Sequence, residues 1–307
     1  MRATSLAVAS LAAGCLATLT APAQAAYPGT NGRIAVETNS AMFTIAAKGG
    51  SMVSLGPGTG PRWSPDGAKL AFAYRGAIWT MNANGTGRIK ITSGTGHDVN
   101  PTWSPDGKRI AFSRSVTGSK TGRSLAVVTV ATKAVAALTA KNDGCAFDPT
   151  WAKTGRYVVY IDQCPTGSDS TDTIRKVDTT TGAVSTIVPV TGVAAFGGKW
   201  AHYSGRADVL ASGTKILWYG YDTDTYETSL VTSDLAGGSV TYVSGTDAEF
   251  ASGDPAASPD GKLAVSGYGY DVSSVESFCL SSGCTGTFDW DIPSGAWATS
   301  VDWQPLH

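Results

Sequence analysis

The sequence has little charge and few histidines. Charged residues make up 15% of its 307 residues, and 23 lysines and arginines are balanced by 24 aspartates and glutamates, for a formal net charge of -1. Such a chain has no basic stripe to neutralise phosphates, so we do not expect it to bind nucleic acid. The three histidines are His97, His202 and His307, and the last of these is the terminal residue. A three-histidine metal centre is therefore not expected.

Signatures of long helices and of common enzymes are also missing. Gly, Ser, Thr and Val dominate where a helical protein would have Glu, Lys, Leu and Ala, and there are 37 glycines. No Gly-x-Ser-x-Gly elbow, P-loop or dinucleotide fingerprint is present, so no catalytic residue is assigned and an enzyme is the less favoured interpretation. The 42% hydrophobic content is enough to bury a core and excludes disorder. A β-rich globular domain remains.

The N-terminus has the layout of an export signal. One positive charge precedes an apolar stretch over residues 6–19, and Ala23-Gln24-Ala25 fits a small-x-small cleavage site. This predicts a signal peptide over 1–25 and a secreted, extracellular or periplasmic protein. Leu11–Cys15 also resembles a lipoprotein box, so lipid anchoring through Cys15 is an alternative. No later stretch is long enough to span a bilayer.

A twelve-residue motif recurs along the chain. Pro61–Phe72 reads Pro-Arg-Trp-Ser-Pro-Asp-Gly-Ala-Lys-Leu-Ala-Phe and returns forty residues later at Pro101–Phe112. Degenerate copies begin at Pro149 and Pro255. Ser-Pro-Asp-Gly is a tight turn, and the continuous apolar run after it is typical of a strand covered on both faces. Strand-built repeats of this length predict a β-propeller, in which each repeat is a four-stranded blade.

The number of first strands gives the number of blades. Trp63, Trp103, Trp151 and Ala257 mark four of them. Either Trp200 or Leu210 marks another. We favour Leu210, which aligns Tyr219 with Tyr268 of the next repeat. The last first strand is Val301–Pro305, which Gly32–Val36 would complete from the other end. We therefore predict an all-β, six-bladed propeller of four-stranded antiparallel blades over 26–307, closed by pairing of the N- and C-terminal strands.

The repeated Pro-x-Trp-Ser-Pro-Asp-Gly-x-x-Ile/Leu-Ala-Phe resembles the WD-type propeller repeat of the TolB-like family. The resemblance covers residues 30–307 and the propeller alone, because TolB carries a further α/β domain before its propeller for which this sequence has no room. It implies a binding or scaffold module of the bacterial envelope with a protein or peptide partner. Similar repeats also occur in some pectate-type lyases, so fold does not settle function.

Cysteine pairing follows from the blade assignment. Removal of the leader leaves Cys145, Cys164, Cys279 and Cys284, and an even number in an exported chain predicts two disulfides. No spacing is the close pair expected of structural zinc. Cys145 and Cys164 fall on one face of one blade, and Cys279 and Cys284 flank a hairpin turn of another. We predict those two pairs.

One face of the disc concentrates aromatic and acidic residues. The loops that enter each first strand, and those between second and third strands, open on this side, which we name the loop face. Such residues suit a polar organic ligand, a glycan or a peptide, although packing beneath their own loops is the alternative role. The predicted ligand-binding residues are His97, Asp98, Phe147, Tyr219, Tyr221, Glu249, Phe250, Tyr268, Tyr270 and Trp297.

Three oxygen-bearing residues each precede the proline that opens a blade. Asn100, Asp148 and Asp254 would ring the mouth of the channel, where they could hold a hard cation such as Ca²⁺. Turn capping is the favoured alternative for them; no other cofactor is expected.

Two functions remain open for what we expect to be a monomer. One is a protein- or peptide-binding propeller, and the other is a propeller lectin, or a lyase or hydrolase, that acts on a glycan.

Overall fold

The computed structural model describes residues 30–39, 41–115, 122–139, 145–163, 172–189, 193–195, 198–202, 205–222, 224, 228–243, 254–268, 274–280, 289–291 and 298–306. Within them the regular elements are β-strands. In chain order these are β1 (Thr30–Thr38), β2 (Met42–Ile45), β3 (Val53–Gly56), β4 (Thr59–Trp63), β5 (Lys69–Tyr74), β6 (Ala77–Asn82), β7 (Ile89–Lys90), β8 (His97–Trp103), β9 (Arg109–Ser115), β10 (Arg123–Thr129), β11 (Val135–Ala137), β12 (Ala146–Trp151), β13 (Tyr157–Asp162), β14 (Thr173–Asp178), β15 (Val184–Val188), β16 (Val193–Ala195), β17 (Gly198–His202), β18 (Asp208–Val209), β19 (Lys215–Asp222), β20 (Thr228–Asp234), β21 (Thr241–Tyr242), β22 (Ala256–Ala257), β23 (Leu263–Tyr268), β24 (Ser274–Cys279), β25 (Asp289–Asp291) and β26 (Ala298–Leu306).

Five antiparallel sheets have four strands each and form the regular blades. We name them by a residue of the first strand. The Trp63 blade is β4–β7, the Trp103 blade β8–β11, the Trp151 blade β12–β15 and the Ala257 blade β22–β25. The terminal blade has the order β26-β1-β2-β3. Its first two strands pair from Thr30 opposite Leu306 to Thr38 opposite Ala298, so the two ends of the described chain meet in one blade, as the sequence predicts.

The prediction of six four-stranded blades is wrong, because in the part of the chain that the structure describes only five sheets are of this kind. The remaining sheet has six strands: β16-β17-β19-β20-β21 in order, with β18 also paired to β19. Trp200 in β17 lies opposite Asp222, and Asp208 in β18 lies opposite Leu217. The two candidate first strands thus lie beside different parts of one long strand. We name this element the large sheet.

The Ser-Pro-Asp-Gly turns have the expected chemistry. In the turn at 104–107, Ser104 Oγ donates to Asp106 Oδ1 at 2.5 Å, and the same carboxylate oxygen accepts from Lys108 N at 3.0 Å. Gly107 has φ 66°, in the left-handed region that favours glycine. These turns lie on the side opposite the loop face, and we name that side the turn face.

The core lies between the blades, which explains the continuous apolar runs. In β5, Leu70 and Phe72 pack towards Met42 of the terminal blade. Ala71, from the same strand, packs towards Trp103 of the following blade. Leu70, Ala71 and Phe72 are all 0% exposed. Both faces of a second strand are therefore covered by neighbouring blades.

Cys145 and Cys279 lie among the described residues, whereas Cys164 and Cys284 lie outside them. Both disulfide pairs therefore stay predictions.

Within the described ranges, no helix has the length and apolar character needed to cross a membrane.

Candidate functional site

The loop-face ends of the first strands share a bulge. Gly60, Asn100 and Asp148 have φ values of 58°, 54° and 46°, and each directly precedes the proline of its blade. The ladder between first and second strands shifts register at these points. Such bulges bend a strand and re-aim a side chain. Here Asn100 Nδ2 donates to Asp148 Oδ1, so side chains of neighbouring blades meet at the channel mouth.

Asp254, the third residue of the predicted Ca²⁺ site, has different partners. Asp254 Oδ2 lies 3.1 Å from Arg62 Nη2, and Asp254 Oδ1 accepts from the backbone N–H of Arg206 at 2.9 Å. Arg62 Nη1 also donates to Ser300 Oγ at 2.8 Å. Both carboxylate oxygens of Asp254 thus accept from donors. Within the described ranges, no three Asp, Glu, His or Cys side chains are grouped as metal ligands. The Ca²⁺ site at Asn100, Asp148 and Asp254 stays a prediction.

A second layer of polar side chains lies deeper in the channel. The Asp302 carboxylate accepts from the backbone N–H of Trp63 at 2.7 Å, and Asp208 accepts from that of Ala257 at 2.8 Å. Thr102 Oγ1 accepts from the N–H of Trp151 at 3.1 Å. In each case the acceptor belongs to one blade and the N–H to the next. These side chains satisfy backbone groups along the inner edge of the propeller, which would otherwise be buried without partners.

Burial shifts several pKa values in and around the channel. Burial raises the pKa of Asp302 to about 7, against the opposing effect of Arg62 and with a further contribution from Asp208. Burial and the nearby charge of Asp254 raise the pKa of Asp148 to about 7. Burial also lowers the pKa of Lys153. Carboxylates in this region therefore hold protons more readily than those on the surface.

Two of the predicted ligand-binding residues have buried side chains. Asp98 is 2% exposed, and both its oxygens accept from Arg114, at 2.6 and 2.8 Å. Tyr219 is 0% exposed and packs in the core between the large sheet and the Ala257 blade. Phe147 is half-buried, with the Arg123 guanidinium 4.6 Å from its ring centre. His97 is exposed at the start of β8.

The other predicted ligand-binding residues are less fully described. Tyr221 and Tyr268 lie at the loop-face ends of β19 and β23, but their side chains are outside the described structure. Glu249, Phe250, Tyr270 and Trp297 lie outside the described residues. Their role in ligand binding stays a prediction.

An aromatic cluster on the loop face was missed by the sequence analysis. The strands β5 and β6 are joined by Arg75 and Gly76, with φ values of 49° and 72°, as in a type I′ hairpin turn. The Arg75 guanidinium lies 5.2 Å from the centre of the Tyr74 ring. Tyr74 and Trp79 form an edge-to-face pair with centroids 6.0 Å apart, and Trp79 Nε1 donates to Tyr74 O at 3.0 Å.

His97 adjoins this cluster from the next blade. The N–H of Asp98 donates to Gly76 O at 3.1 Å, and a Cβ placed on Gly76 would lie 3.2 Å from the His97 ring. We name Tyr74, Arg75, Trp79 and His97 the Tyr74 patch. In the sequence the patch corresponds to the end of the second strand, where Tyr74 directly precedes the Arg75-Gly76 turn.

The strand-built blades with their Ser-Pro-Asp-Gly turns define a β-propeller. The TolB beta propeller domain family matches residues 38–193, and the chain belongs to this family. No curated protein matches the chain.

Solved structures share the fold at low sequence identity. TolB from Acinetobacter baumannii is 20% identical with a TM-score of 0.69, covering 91% of this chain and 68% of that one. A putative TolB from Agrobacterium tumefaciens is 18% identical with a TM-score of 0.61, covering 91% of this chain and 100% of that one. An oligogalacturonate lyase from Vibrio parahaemolyticus is 12% identical with a TM-score of 0.56, covering 81% and 70%.

Proposed function

We propose that this protein is an exported binding propeller that holds a protein or peptide partner on its loop face, with the Tyr74 patch as part of the contact surface. The observation that carries the proposal is the arrangement of Tyr74, Arg75 and Trp79 around a two-residue turn, with exposed His97 beside it. Membership of the TolB propeller family supports the same class of function. The predicted leader over 1–25 supports export, with lipid anchoring through Cys15 as the alternative.

The composition of the patch favours a macromolecular partner. Tyr, Trp and Arg are the residue types most enriched at the energetic centres of protein interfaces. A ring that is already fixed by an edge contact and a hydrogen bond loses little freedom on binding, so less of the interaction energy is spent on ordering. Half-buried Tyr74 and exposed Arg75 therefore offer a pre-arranged surface.

A titration with a selected peptide tests the proposal. Peptides chosen from a displayed library against the folded protein are titrated with wild type, Tyr74→Ala and His97→Ala. We expect dissociation constants to rise roughly 5- to 100-fold, the equivalent of about 1–3 kcal/mol for an anchor residue.

Tyr157→Ala is the matched control. Tyr157 is also half-buried beneath an arginine, with the Arg156 guanidinium 5.1 Å from its ring centre, but it starts β13 at the turn face. The Tyr157→Ala variant should bind the peptide with the affinity of wild type. Loss of binding in Tyr157→Ala, with wild-type affinity in Tyr74→Ala and His97→Ala, would place the site on the turn face.

The glycan alternative has one observation in its favour, the shared fold of the oligogalacturonate lyase. An array of acidic and neutral oligosaccharides distinguishes it from the peptide proposal. Saturable glycan binding that Tyr74→Ala weakens, with no peptide selected, would favour the alternative.

A further inference from the structure

A small cavity lies in the channel where several blades meet. Its volume is about 20 Å³, enough for one water-sized species. Charged residues from different blades face it. The residues that line it include Arg62, Trp63, Thr150, Lys153, Arg206 and Asp302.

Several polar atoms of the lining residues are buried without a hydrogen-bond partner in the described structure. They are Arg206 Nε and Nη1, Trp63 Nε1 and Thr150 Oγ1. Arg206 is 2% exposed, Trp63 1% and Thr150 6%. Arg206 Nη2 donates to Pro255 O and Val301 O, both at 3.3 Å, so its Nε and Nη1 are the guanidinium nitrogens without an acceptor among the described residues. Guanidinium and indole nitrogens only donate, so the Arg206 and Trp63 nitrogens require an acceptor.

The charges around the cavity determine which acceptor fits. Arg62 is paired with Asp254. Asp302 and Asp208 each accept from a backbone N–H, and the negative charge of both favours the protonated form of Lys153. Arg206 forms no ion pair with another described side chain, although it is almost fully buried. A buried cation is stable when a negative charge compensates it.

We propose that the channel binds one monoatomic anion, a chloride in physiological media, held by Arg206 with the Trp63 indole N–H and the Thr150 hydroxyl. These three residues belong to the segment before β18 of the large sheet, to the Trp63 blade and to the Trp151 blade. An anion bound there contacts three separate parts of the ring. It therefore stabilises the assembled propeller, and this role does not depend on which partner the loop face binds.

Crystals grown in sodium bromide test the site directly. The wild-type protein should show an anomalous peak within hydrogen-bond distance of Arg206 Nε, which a water cannot produce. A channel with no anomalous peak, and with only a water-sized feature at this position, would overturn the proposal.

Thermal unfolding gives an independent measurement in solution. Sodium chloride or bromide is titrated against sodium gluconate at constant ionic strength and constant pH. Binding to the folded state alone should raise the Tm of wild type by about 5 °C when chloride exceeds its Kd roughly a hundredfold. Arg206→Met should lose this halide dependence.

Arg88→Met is the control variant. Arg88 also donates to two backbone carbonyls, those of Leu55 and Pro57, but it is not among the residues that line the cavity. Its halide-dependent rise in Tm should equal that of wild type. An equal rise in Arg206→Met would contradict the proposal, and should that variant not fold, the bromide peak in wild-type crystals decides alone.

Discussion

The carboxylate of Asp302 accepts a hydrogen bond from the backbone N–H of Trp63 at 2.7 Å, although the two residues are 239 positions apart in the sequence. Asp302 lies in the last strand of the chain, and Trp63 ends the first strand of the neighbouring blade. The closure of the ring thus depends on a carboxylate whose pKa burial raises to about 7. This contact connects the stability of the propeller to pH.

The first prediction is that Asp302 makes the folded protein less stable as pH rises through the weakly acidic range. Between its ordinary pKa of 3.8 and about 7, the folded protein holds a proton that the unfolded chain has released. The free energy of unfolding therefore falls with rising pH in this window, by at most about 1.4 kcal/mol per pH unit for one proton, and levels off above it. Asp302→Asn keeps an acceptor for Trp63 N and should be less pH-dependent than wild type.

Asp66→Asn is the control of opposite sign. Burial acts to raise the pKa of Asp66, but hydrogen bonds from Ser64 and the Ala68 N–H lower it overall. The stability that this carboxylate contributes is present above its unfolded pKa and is lost as pH falls. Burial also raises the pKa of Asp148, so in Asp302→Asn the dependence of stability on pH should become weaker without vanishing. Melting curves from about pH 2 to about pH 8 check both variants, because Asp66 acts at the acidic end of this range and Asp302 in the weakly acidic part. An unchanged slope between about pH 4 and about pH 7 in Asp302→Asn would be incompatible with this assignment.

The second prediction compares two glycines in the same turn type. Gly67 and Gly107 both have φ 66°. A Cβ on Gly67 would lie 2.2 Å from Pro305 O in the last strand, whereas the nearest atom to one on Gly107 is Pro65 Cδ at 3.9 Å. Gly107→Ala should cost about 1–2 kcal/mol for the backbone conformation alone. Gly67→Ala should cost roughly 1–3 kcal/mol more, because backbone must move. Chemical denaturation measures both, and equal costs would show that the last strand does not pack there.

The third prediction concerns the last strand as a whole. Deletion of 301–307 removes Val301, which is 0% exposed, and Trp303, which is 3% exposed. It also leaves an inner edge of β1 unpaired, which is costly for a sheet. We expect a fall in Tm of more than about 10 °C, since a buried Trp alone is worth about 3–5 kcal/mol. Deletion of residues 306–307, where Leu306 is 41% exposed, should have a much smaller effect. A Tm equal to that of wild type after the longer deletion is incompatible with this closure.

The fourth prediction concerns the Arg62–Asp254 ion pair in the channel, in which the side chains are 9% and 15% exposed. Arg62→Met should destabilise the fold by about 3–5 kcal/mol, because Asp254 is left buried without its cation. The double variant with Asp254→Asn should recover part of this loss. The pair Arg156–Asp178 has a similar distance, 2.9 Å, but its arginine is 63% exposed, so Arg156→Met should change stability little. A double-mutant cycle by denaturation with no coupling at Arg62 would contradict the assignment.

The repeated blades could be predicted from the sequence because each local signal agrees with the fold. The Ser-Pro-Asp-Gly turns, the tryptophans of the first strands and the continuous apolar second strands occur together in each clear copy. The pairing of β1 with β26 could also be predicted, because the C-terminal segment has a first strand without a second and the N-terminal segment supplies that second strand. The large sheet could not be predicted in the same way. Its segment has no Pro-x-Trp-Ser-Pro-Asp-Gly copy, and β17 and β18 pair with different parts of one long strand.

The candidate site was harder to predict because exposure depends on cross-strand register. Asp98 lies directly opposite Arg114, a pairing that one residue of slippage would remove. Counted from the glycine of the preceding turn, Tyr219 lies one position earlier in β19 than Tyr74 lies in β5, and Tyr219 packs against the next blade whereas Tyr74 is half-buried. Successive side chains of a strand lie on opposite faces, so a difference of one position decides whether the tyrosine is buried.

Hydrogen exchange, measured with and without a bound selected peptide, shows whether the partner occupies the loop face. We expect slower exchange for the amides of residues 75–77 and 97–98, at the turn and strand start that form the Tyr74 patch. Exchange in the turns at 64–69 and 104–109 should not change. Protection confined to those two turns, with no change around Tyr74 and His97, would contradict the account.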